Sequence, residues 1–535
     1  MSPVSRPMLR REWLGFAAGM PFARRAVADP GSGVLRVAVR ADVRSFQPLT
    51  ALDDPTRTAL ALCHAGLVRT NGVTLQPEPY LAERVTVSRD GKRISATLRA
   101  GLRFSDGAPL TVDDVVFTFA AHLDPKSGSP QRDSLIFGGE PLRVEKRGPR
   151  DLEFVLNQPF ALGARILDGV AILPRHRLEA AFRDGKLNES WGLGTPLGEL
   201  AGAGPYRIAE HKAGIGLFYA PNPHYFRPKS PQIGALSLLF SAGEDAQVAR
   251  FAAGEADLVS GFGAGNYGVI EGYAERRGLR LYDLGASLDY SFVLFNLGKP
   301  DAAPPIAVRR AMARAIDRSA IAKLVYRGLA APLVGHVTPG RGEWMNRNLA
   351  RAFESAESPP PPKRFTLLVN SGNPAHMQTA SIIEADCAKA GIPVAVVALE
   401  FRSLVDRVVN RRDFEAAILS LRSGDLDPVA DMNVMLSSGQ SHLWNPRQAT
   451  PATAWEAEID GLMRSVATTL DRPARKKAFD RVQAILAEQV PWIPLVSPHT
   501  LFAARRDLGG LRPSLVGHPA LWNVEELHWL RTTGR

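Results

Sequence analysis

The chain has 535 residues, of which 45% are hydrophobic and 22% are charged, which is the composition of a folded protein and not of a disordered one. This length is too great for one hydrophobic core and predicts two or more domains or lobes. No internal stretch approaches the roughly 18 uncharged apolar residues of a membrane span. The two cysteines, Cys63 and Cys387, are too few for a disulfide scaffold or a cysteine-based zinc cluster.

The formal net charge of +11 raises the question of a nucleic-acid partner, but the pattern of the basic residues argues against one. Basic and acidic residues alternate along most of the chain, without long runs of like charge. The longest basic cluster, at residues 407–412, is interrupted by apolar and amide residues. No zinc-finger or recognition-helix pattern accompanies it. We therefore expect no nucleic-acid partner.

The N-terminal segment, residues 1–28, has the layout of an export signal. Arg10 and Arg11 precede a short apolar run over residues 13–23, and residues 26–28 read Ala-Val-Ala, a small-x-small cleavage site. The order Arg-Arg-Glu-Trp-Leu is similar to the twin-arginine type, although the general secretory route and a first amphipathic helix of a cytoplasmic protein stay open. We expect cleavage after about Ala28, a periplasmic location and, since no cysteine follows the cleavage site, no lipid anchor.

Periodicity and turn signals predict the elements of the first 120 residues. Alternating apolar residues predict strands over residues 35–39 and 93–99. Apolar residues at helical spacing predict a helix over residues 56–68. Thr111, followed three residues later by Asp114, resembles a capping box and predicts that a helix begins there.

The most regular stretch lies between residues 364 and 430. Strands are predicted at residues 365–369, 392–399 and 414–421, with helices at 376–390 and 404–410 between them. This βαβαβ order predicts a parallel sheet with right-handed crossovers and places the chain in the α/β class.

Polar loops follow two strands of this predicted sheet. Ligands of open α/β sheets bind beyond the carboxyl ends of the strands. Asn370 and Ser371 follow one strand, and residues 422–428 follow the other. In the second loop, Asp425 can pair with an ammonium group and Arg422 with a carboxylate. Alternatively, this loop is a plain surface turn that uses its aspartate and proline as turn residues.

No pattern of catalytic residues stands out. The chain contains no H-E-x-x-H, no phosphate-binding P-loop and no G-x-S-x-G elbow, and its 11 histidines are scattered. Residues 263–268 fit G-x-G-x-x-G, but no crossover strand follows at the right length, so we interpret them as a glycine-rich loop. Cys63 and Cys387 fall on apolar helix faces and are interpreted as core residues. We expect no cofactor, no metal and no enzymatic activity.

Several segments resemble the family 5 solute-binding proteins of ABC importers, which carry dipeptides, oligopeptides, nickel complexes and related solutes. The densest match runs from Pro79 through Asp90 and Gly91 to Phe117. Further matches lie at residues 204–206, 221–226, 253–258, 295–296, 308–311, 315–318 and 491–495. The resemblance covers essentially the whole mature chain.

This resemblance implies a two-lobed periplasmic binding protein clamshell of the type II, cluster C-like kind, with mixed sheets flanked by helices and a ligand cleft between the lobes. It assigns residues 29–290 to lobe one, with an extra subdomain at about 50–200, residues 291–494 to lobe two, and residues 495–535 to a return into lobe one. The implied function is that of a monomer that delivers a peptide or similar solute to an ABC permease in the inner membrane. The alternatives are a binder of a metal chelate or haem, an exported sensor that docks on a receptor, and a secreted hydrolase.

The resemblance also suggests which residues hold the ligand. In peptide-binding relatives, an aspartate in the loop before an acid-proline step holds the amino terminus of the ligand. The matching residue is Asp425, with Asp427 as its rival, in a loop one residue shorter than usual. Three arginines are candidate partners for a ligand carboxylate: Arg422, Arg402 and Arg341. Three aromatic residues are candidates for the cleft wall, with a core position as the alternative for each: Tyr206, Tyr290 and Trp444.

Overall fold

The computed structural model describes residues 33–51, 53–299, 301–349 and 363–530. The predicted export segment and its cleavage site lie outside these residues. The strands are β1 Val34–Val39, β2 Val68–Thr70, β3 Pro77–Pro79, β4 Ala82–Val87, β5 Arg93–Leu98, β6 Ile136–Phe137, β7 Glu140–Pro141, β8 Arg143–Lys146, β9 Asp151–Val155, β10 Tyr206–Lys212, β11 Gly216–Pro221, β12 Ala235–Phe240, β13 Leu258–Val259, β14 Leu279–Ala286, β15 Asp289–Phe295, β16 Ala330–Pro332, β17 Phe365–Asn370, β18 Val394–Leu399, β19 Ala416–Arg422, β20 Trp492–Pro494, β21 Val496–Arg505, β22 Leu508–Gly509 and β23 His528–Trp529.

Helices occur throughout the described chain. They are α1 Asp54–Ala61, α2 Val112–Leu123, α3 Arg175–Arg183, α4 Glu244–Ala253, α5 Ala264–Ala274, α6 Ile306–Ala315, α7 Arg318–Ala320, α8 Pro374–Lys389, α9 Phe401–Val405, α10 Met432–Met435, α11 Ala454–Thr468 and α12 Arg472–Gln489. Over the described ranges, none of these helices has both the length and the apolar character needed to cross a bilayer.

Lobe one is built on a large mixed sheet. Its strand order is β10-β11-β12-β1-β13-β21-β14, with β16 paired to β21. Strand β1 lies parallel to both β12 and β13, since α4 carries the chain from β12 to β13 in a crossover. The apolar residues of β1 are buried on both faces: Leu35 and Val37 pack in one hydrophobic cluster and Ala38 in another. The predicted first strand is therefore confirmed as a central strand of this sheet.

A second, four-stranded sheet forms a small subdomain of lobe one. Its order is β4-β5-β9-β8, and all its pairs are antiparallel. Helix α2 packs on this sheet through Phe119, whose ring centroid lies 5.0 Å from that of Phe154. The predicted capping box is confirmed: the Thr111 hydroxyl accepts from Asp113 N at 3.3 Å, and Asp114 accepts from Thr111 N at 2.8 Å. The strand predicted at residues 93–99 corresponds to β5.

Replacing Thr111 with alanine is expected to lower the free energy of unfolding by about 1 kcal/mol, because the first turn of α2 loses its side-chain acceptor. Urea unfolding of the wild type and the variant measures the difference. Thr86→Ala, on the exposed face of β4, is the matched control and is expected to stay within about 0.5 kcal/mol of the wild type. Equal effects of the two substitutions would contradict the capping role.

Lobe two is built on a five-stranded sheet with the order β18-β17-β19-β15-β20. Strand β17 lies parallel to β18 and β19, and α8 and α9 lie between these strands in the chain, so the predicted βαβαβ unit is confirmed. Strands β15 and β20 extend the sheet with antiparallel pairs. Separate hydrophobic clusters cover the two faces, as shown by the neighbours Leu367 and Leu368, which belong to different clusters.

One predicted helix is too long. The sequence predicts a helix over residues 56–68, but α1 ends at Ala61 and strand β2 begins at Val68. The backbone carbonyls of Leu62 and Cys63 accept hydrogen bonds from Tyr206 N and Gly204 N, at 3.0 and 2.8 Å. These tertiary hydrogen bonds replace the helical ones, so the apolar spacing beyond Ala61 reflects packing and not a longer helix.

The glycine-rich segment at residues 263–268 also differs from its interpretation as a loop, because α5 begins at Ala264. A carboxylate lies at the start of this helix: Glu244 accepts from Gly263 N at 2.6 Å and from the Asn266 side chain at 2.9 Å. An acidic side chain at a helix N-terminus satisfies free N–H groups. In a dinucleotide site, the pyrophosphate lies at this end of the helix. Here the carboxylate of Glu244 already occupies that position.

Two neighbouring crossovers connect the sheets of the two lobes. The chain passes from β14 to β15 through residues 287–288 and returns from β20 to β21 through Leu495. Ser287 N donates to Pro498 O and Leu495 N donates to Ser291 O, both at 2.9 Å. Each crossover is therefore hydrogen-bonded to the strand that follows the other crossover, β21 in the first case and β15 in the second. Two short adjacent connections of this kind are the arrangement of a hinge. The exact lobe boundaries at residues 290 and 494 stay predictions.

Candidate ligand-binding cleft

The loop that follows β19 is fixed by buried charge pairs within lobe two. Arg341 is buried, forms an ion pair with Asp431 and donates from Nε to Leu426 O at 3.0 Å. Arg475 donates to Asp427 Oδ1 at 2.6 Å, and both of these side chains are buried. Removing either partner of such a pair leaves an uncompensated buried charge. These pairs therefore hold the loop in place without a contribution from a ligand.

Asp425 is the carboxylate of this loop that faces lobe one. Its Oδ1 accepts from Leu426 N at 2.5 Å and lies 3.2 Å from Nη1 of Arg165. Arg165 belongs to the 3₁₀ turn Gly163–Leu167 of the small subdomain, whose core this turn joins. The side chains are 21% exposed for Asp425 and 12% for Arg165. Burial raises the pKa of the Asp425 carboxyl, and the charge of Arg165 opposes that shift.

Two more contacts join lobe two to the small subdomain. Ala161 N donates to Ala467 O at 2.8 Å. Val429 packs against both the core of the small subdomain and a core of lobe two. The lobes therefore meet through an ion pair, a backbone hydrogen bond and an apolar contact, and Asp425 lies where they meet.

The first predicted loop lies on the same edge of the lobe-two sheet. Asn370 ends β17, which runs parallel to β19, so both loops leave the sheet at its carboxyl edge as predicted. Asn370 Oδ1 accepts from Gly372 N at 3.0 Å, and Ser371 Oγ donates to Leu399 O at 3.0 Å. These bonds stabilise the turn itself. No hydrogen bond within the described ranges links Asn370 or Ser371 to Asp425, and their contact with a ligand stays a prediction.

The candidate charged partners fall into two groups. Arg341 and Asp427 are buried in the pairs that fix the loop, so they position it. Arg422 is half exposed and lies 3.7 Å from Asp289, and Arg402 is exposed at the beginning of α9. Arg422 and Arg402 are therefore accessible to a ligand carboxylate. In this conformation, Arg341 and Asp427 are not accessible to a ligand.

The three candidate wall aromatics occupy core positions, which is the alternative that the sequence left open. Tyr206 and Trp444 are 0% exposed and Tyr290 is 4% exposed. The Tyr206 hydroxyl donates to Ile233 O at 3.0 Å, and Trp444 Nε1 donates to Glu456 Oε1 at 3.2 Å. Their contact with a ligand stays a prediction.

Arg165, which contacts Asp425 between the lobes, is the residue of this region that sequence reasoning missed. It lies in a segment without a recognised motif, and its partner Asp425 belongs to the other lobe. Single-sequence patterns report neighbours along a helix or strand and carry no signal for such a pair. Covariation between the two positions is the signal that reports spatial contacts of this kind.

Metal clusters and reactive thiols are two kinds of chemical centre that can be checked among the described residues. Within them, no group of three or more His, Cys, Asp and Glu side chains is arranged to hold a metal ion. Cys63 and Cys387 are buried free thiols, as their interpretation as core residues requires. Burial raises the pKa of the Cys387 thiol to about 12, far from the thiolate form that reacts as a nucleophile.

A two-lobed α/β protein, with a hinge between two sheets and polar groups where the lobes meet, has the architecture of a solute-binding protein. The family model of the bacterial extracellular solute-binding proteins, family 5 (middle region), matches residues 76–442. The chain therefore belongs to family 5 of the bacterial extracellular solute-binding proteins.

Known relatives match over most of the chain. It is 26% identical over 523 residues to the probable ABC transporter periplasmic-binding protein SapA of Escherichia coli, covering 91% of each chain. It is 28% identical over 469 residues to di/tripeptide-binding protein 4 of Pseudomonas aeruginosa, covering 81% of this chain and 83% of the relative. The solved structure of the ABC transporter substrate binding protein CtaP of Listeria monocytogenes has a TM-score of 0.77 at 20% identity, covering 93% of this chain and 99% of that one. The predicted family and two-lobed fold are confirmed, and these three relatives are solute-binding proteins.

Proposed function

We propose that this protein captures a peptide, or a similar solute with a positively charged amino end, between its two lobes and delivers it to the permease of an ABC importer. The observation that carries this proposal is the position of Asp425. Its carboxylate lies on the side of lobe two that meets lobe one, and within the described ranges its Oδ2 forms no hydrogen bond. This oxygen is available to accept from an ammonium group.

The physical basis is a charge-assisted hydrogen bond in a site with little water. Such bonds are shorter and about twice as strong as neutral ones. The loop around Asp425 is already ordered by Arg341–Asp431 and Arg475–Asp427, so binding does not have to order it. Arg422 and Arg402 are the candidate partners for the other end of the ligand. The name of the Pseudomonas relative supports a short peptide as the ligand class.

The location and partners belong to the same proposal. The export signal at residues 1–28 and the periplasmic relative in E. coli support a periplasmic protein that is released after cleavage near Ala28. The protein acts as a monomer without a lipid anchor, and the closed lobes together present the surface that an ABC permease recognises.

Adding ligand is expected to stabilise the closed form. A peptide present at about 100 times its dissociation constant adds about 2.7 kcal/mol of stability. We therefore expect an equimolar library of free tripeptides to raise the melting temperature by several degrees and to reduce the radius of gyration in small-angle X-ray scattering. Separate arms with nickel–histidine and with haem test the alternative ligands. A response only to those arms, or no response to peptides, would contradict the proposal.

A further inference from the structure

One ion pair ties the proposed amine anchor to the opposite lobe. Arg165 Nη1 lies 3.2 Å from Asp425 Oδ1, and the other terminal nitrogen of Arg165 donates to Leu75 O. The guanidinium is therefore fixed to lobe one at one side and neutralises a lobe-two carboxylate at the other. Its Nε is buried and has no hydrogen-bond acceptor among the described residues.

Asp425 differs from the other acidic residues of its loop in the lobe that supplies its ion-pair partner. Asp427 and Asp431 have their partners, Arg475 and Arg341, within lobe two. Within the described ranges, Asp425 has its ion-pair partner in lobe one. This pair forms only when the lobes approach each other, because its two members belong to different lobes.

We propose that Arg165 determines how strongly this cleft prefers ligands with a positively charged end. The inference rests on the proposed role of Asp425 as the amine anchor. The guanidinium and a ligand ammonium carry the same charge and interact with the same carboxylate, so Arg165 weakens the attraction of Asp425 for the ammonium. The side chain thereby lets the closed cleft accept ligands with a neutral end as well.

A second carboxylate keeps the site able to accept a cation. Asp168 follows the turn that carries Arg165, and its backbone N donates to Arg165 O at 3.0 Å. Its side chain accepts from the Thr70 hydroxyl. Burial raises the pKa of the Asp168 carboxyl, the hydrogen bond from Thr70 lowers it, and the negative charge of Asp425 raises it. When both are ionised, two carboxylates and one guanidinium leave one negative charge, which a single ligand ammonium balances.

The test compares two peptides that differ at the amino end, where an acetyl group converts the charged ammonium of one into the neutral amide of the other. Isothermal titration gives the dissociation constants of Ala-Ala-Ala and N-acetyl-Ala-Ala-Ala. The constant of the acetylated peptide divided by that of the free peptide measures the preference for an ammonium. Arg165→Met, which keeps an apolar stem without the charge, is expected to increase this ratio about tenfold. Arg165→Gln removes the charge and retains a donor for Leu75 O, and it is expected to act in the same direction. Asp168→Asn is expected to decrease the ratio.

Controls separate this inference from a structural effect and from the proposed function. Arg143→Met removes an exposed positive charge from β8 of the same subdomain and is expected to leave the ratio unchanged. An equal loss of affinity for both peptides in the Arg165 variants, or an unchanged ratio, would overturn the inference. If Asp425→Asn removes the preference but the Arg165 variants do not increase it, only this inference fails. If the wild type binds neither peptide, or if Asp425→Asn leaves the ratio unchanged, the amine anchor fails and the inference fails with it.

Discussion

Replacing Arg475 with methionine is expected to lower the free energy of unfolding by about 3–5 kcal/mol. Arg475 donates to Asp427 Oδ1 at 2.6 Å and from Nε to Val466 O at 2.8 Å. The side chains of the pair are 6% and 9% exposed. The variant therefore leaves the Asp427 carboxylate buried without its cation, in the loop that presents Asp425. Urea unfolding at pH 7 measures the loss.

Arg481→Met is the matched control on the same helix, α12. Arg481 pairs with Glu458 and Glu488, but its side chain is 45% exposed. Exposed ion pairs contribute about 0–1 kcal/mol, so only a small change is expected. The double variant Asp427→Asn with Arg475→Met is expected to recover part of the stability, since no buried charge then remains unpaired. Similar losses for Arg475→Met and Arg481→Met would contradict the role of the buried pair.

Replacing Asp425 with asparagine is expected to weaken the binding of a free tripeptide by about 10- to 100-fold. The variant removes a hydrogen bond to a charged group, and such bonds contribute about 1.5–3 kcal/mol. The N-acetylated tripeptide carries no ammonium, so its affinity is expected to change little. Isothermal titration of both peptides measures the two effects.

Asp133→Asn is the control for this substitution. Asp133 is an exposed carboxylate of the same subdomain as Arg165, far from the loop in sequence, and it pairs only with the neighbouring Arg132 within the described ranges. It is expected to leave both affinities unchanged. Equal weakening of the free and the acetylated peptide by Asp425→Asn would show that Asp425 supports the loop and does not bind the amine.

Local patterns in the sequence were sufficient for much of the fold. The alternation of apolar residues in β1 and β5 and the Thr111 cap of α2 are signals within a few residues, and the structure confirms them. The helix predicted beyond Ala61 was wrong because Tyr206 N and Gly204 N provide hydrogen bonds from a distant segment. Tertiary hydrogen bonds of this kind leave no periodic trace in the chain.

The site was predictable only in part, for the same reason. The polar loops at the ends of β17 and β19 follow from strand order alone, and they led to Asp425. The spacing of residues in the sequence could not show which of Asp425 and Asp427 is the ligand-binding candidate. The two differ because Asp427 is paired with Arg475, which lies on a helix further along the chain. The contact with Arg165 requires the two lobes to be placed against each other, which no local pattern encodes.

Native mass spectrometry tests directly whether Asp425 binds the amino terminus of a peptide ligand. The wild type and Asp425→Asn are each mixed with a library that contains free and N-acetylated tripeptides in equal amounts. If Asp425 binds the amino terminus of the ligand, we expect complexes of one protein with one peptide, in which free amino termini are enriched for the wild type and not for the variant. Complexes that hold free and blocked peptides in equal proportion in the wild type, or a wild type that retains no peptide from the library, would contradict it.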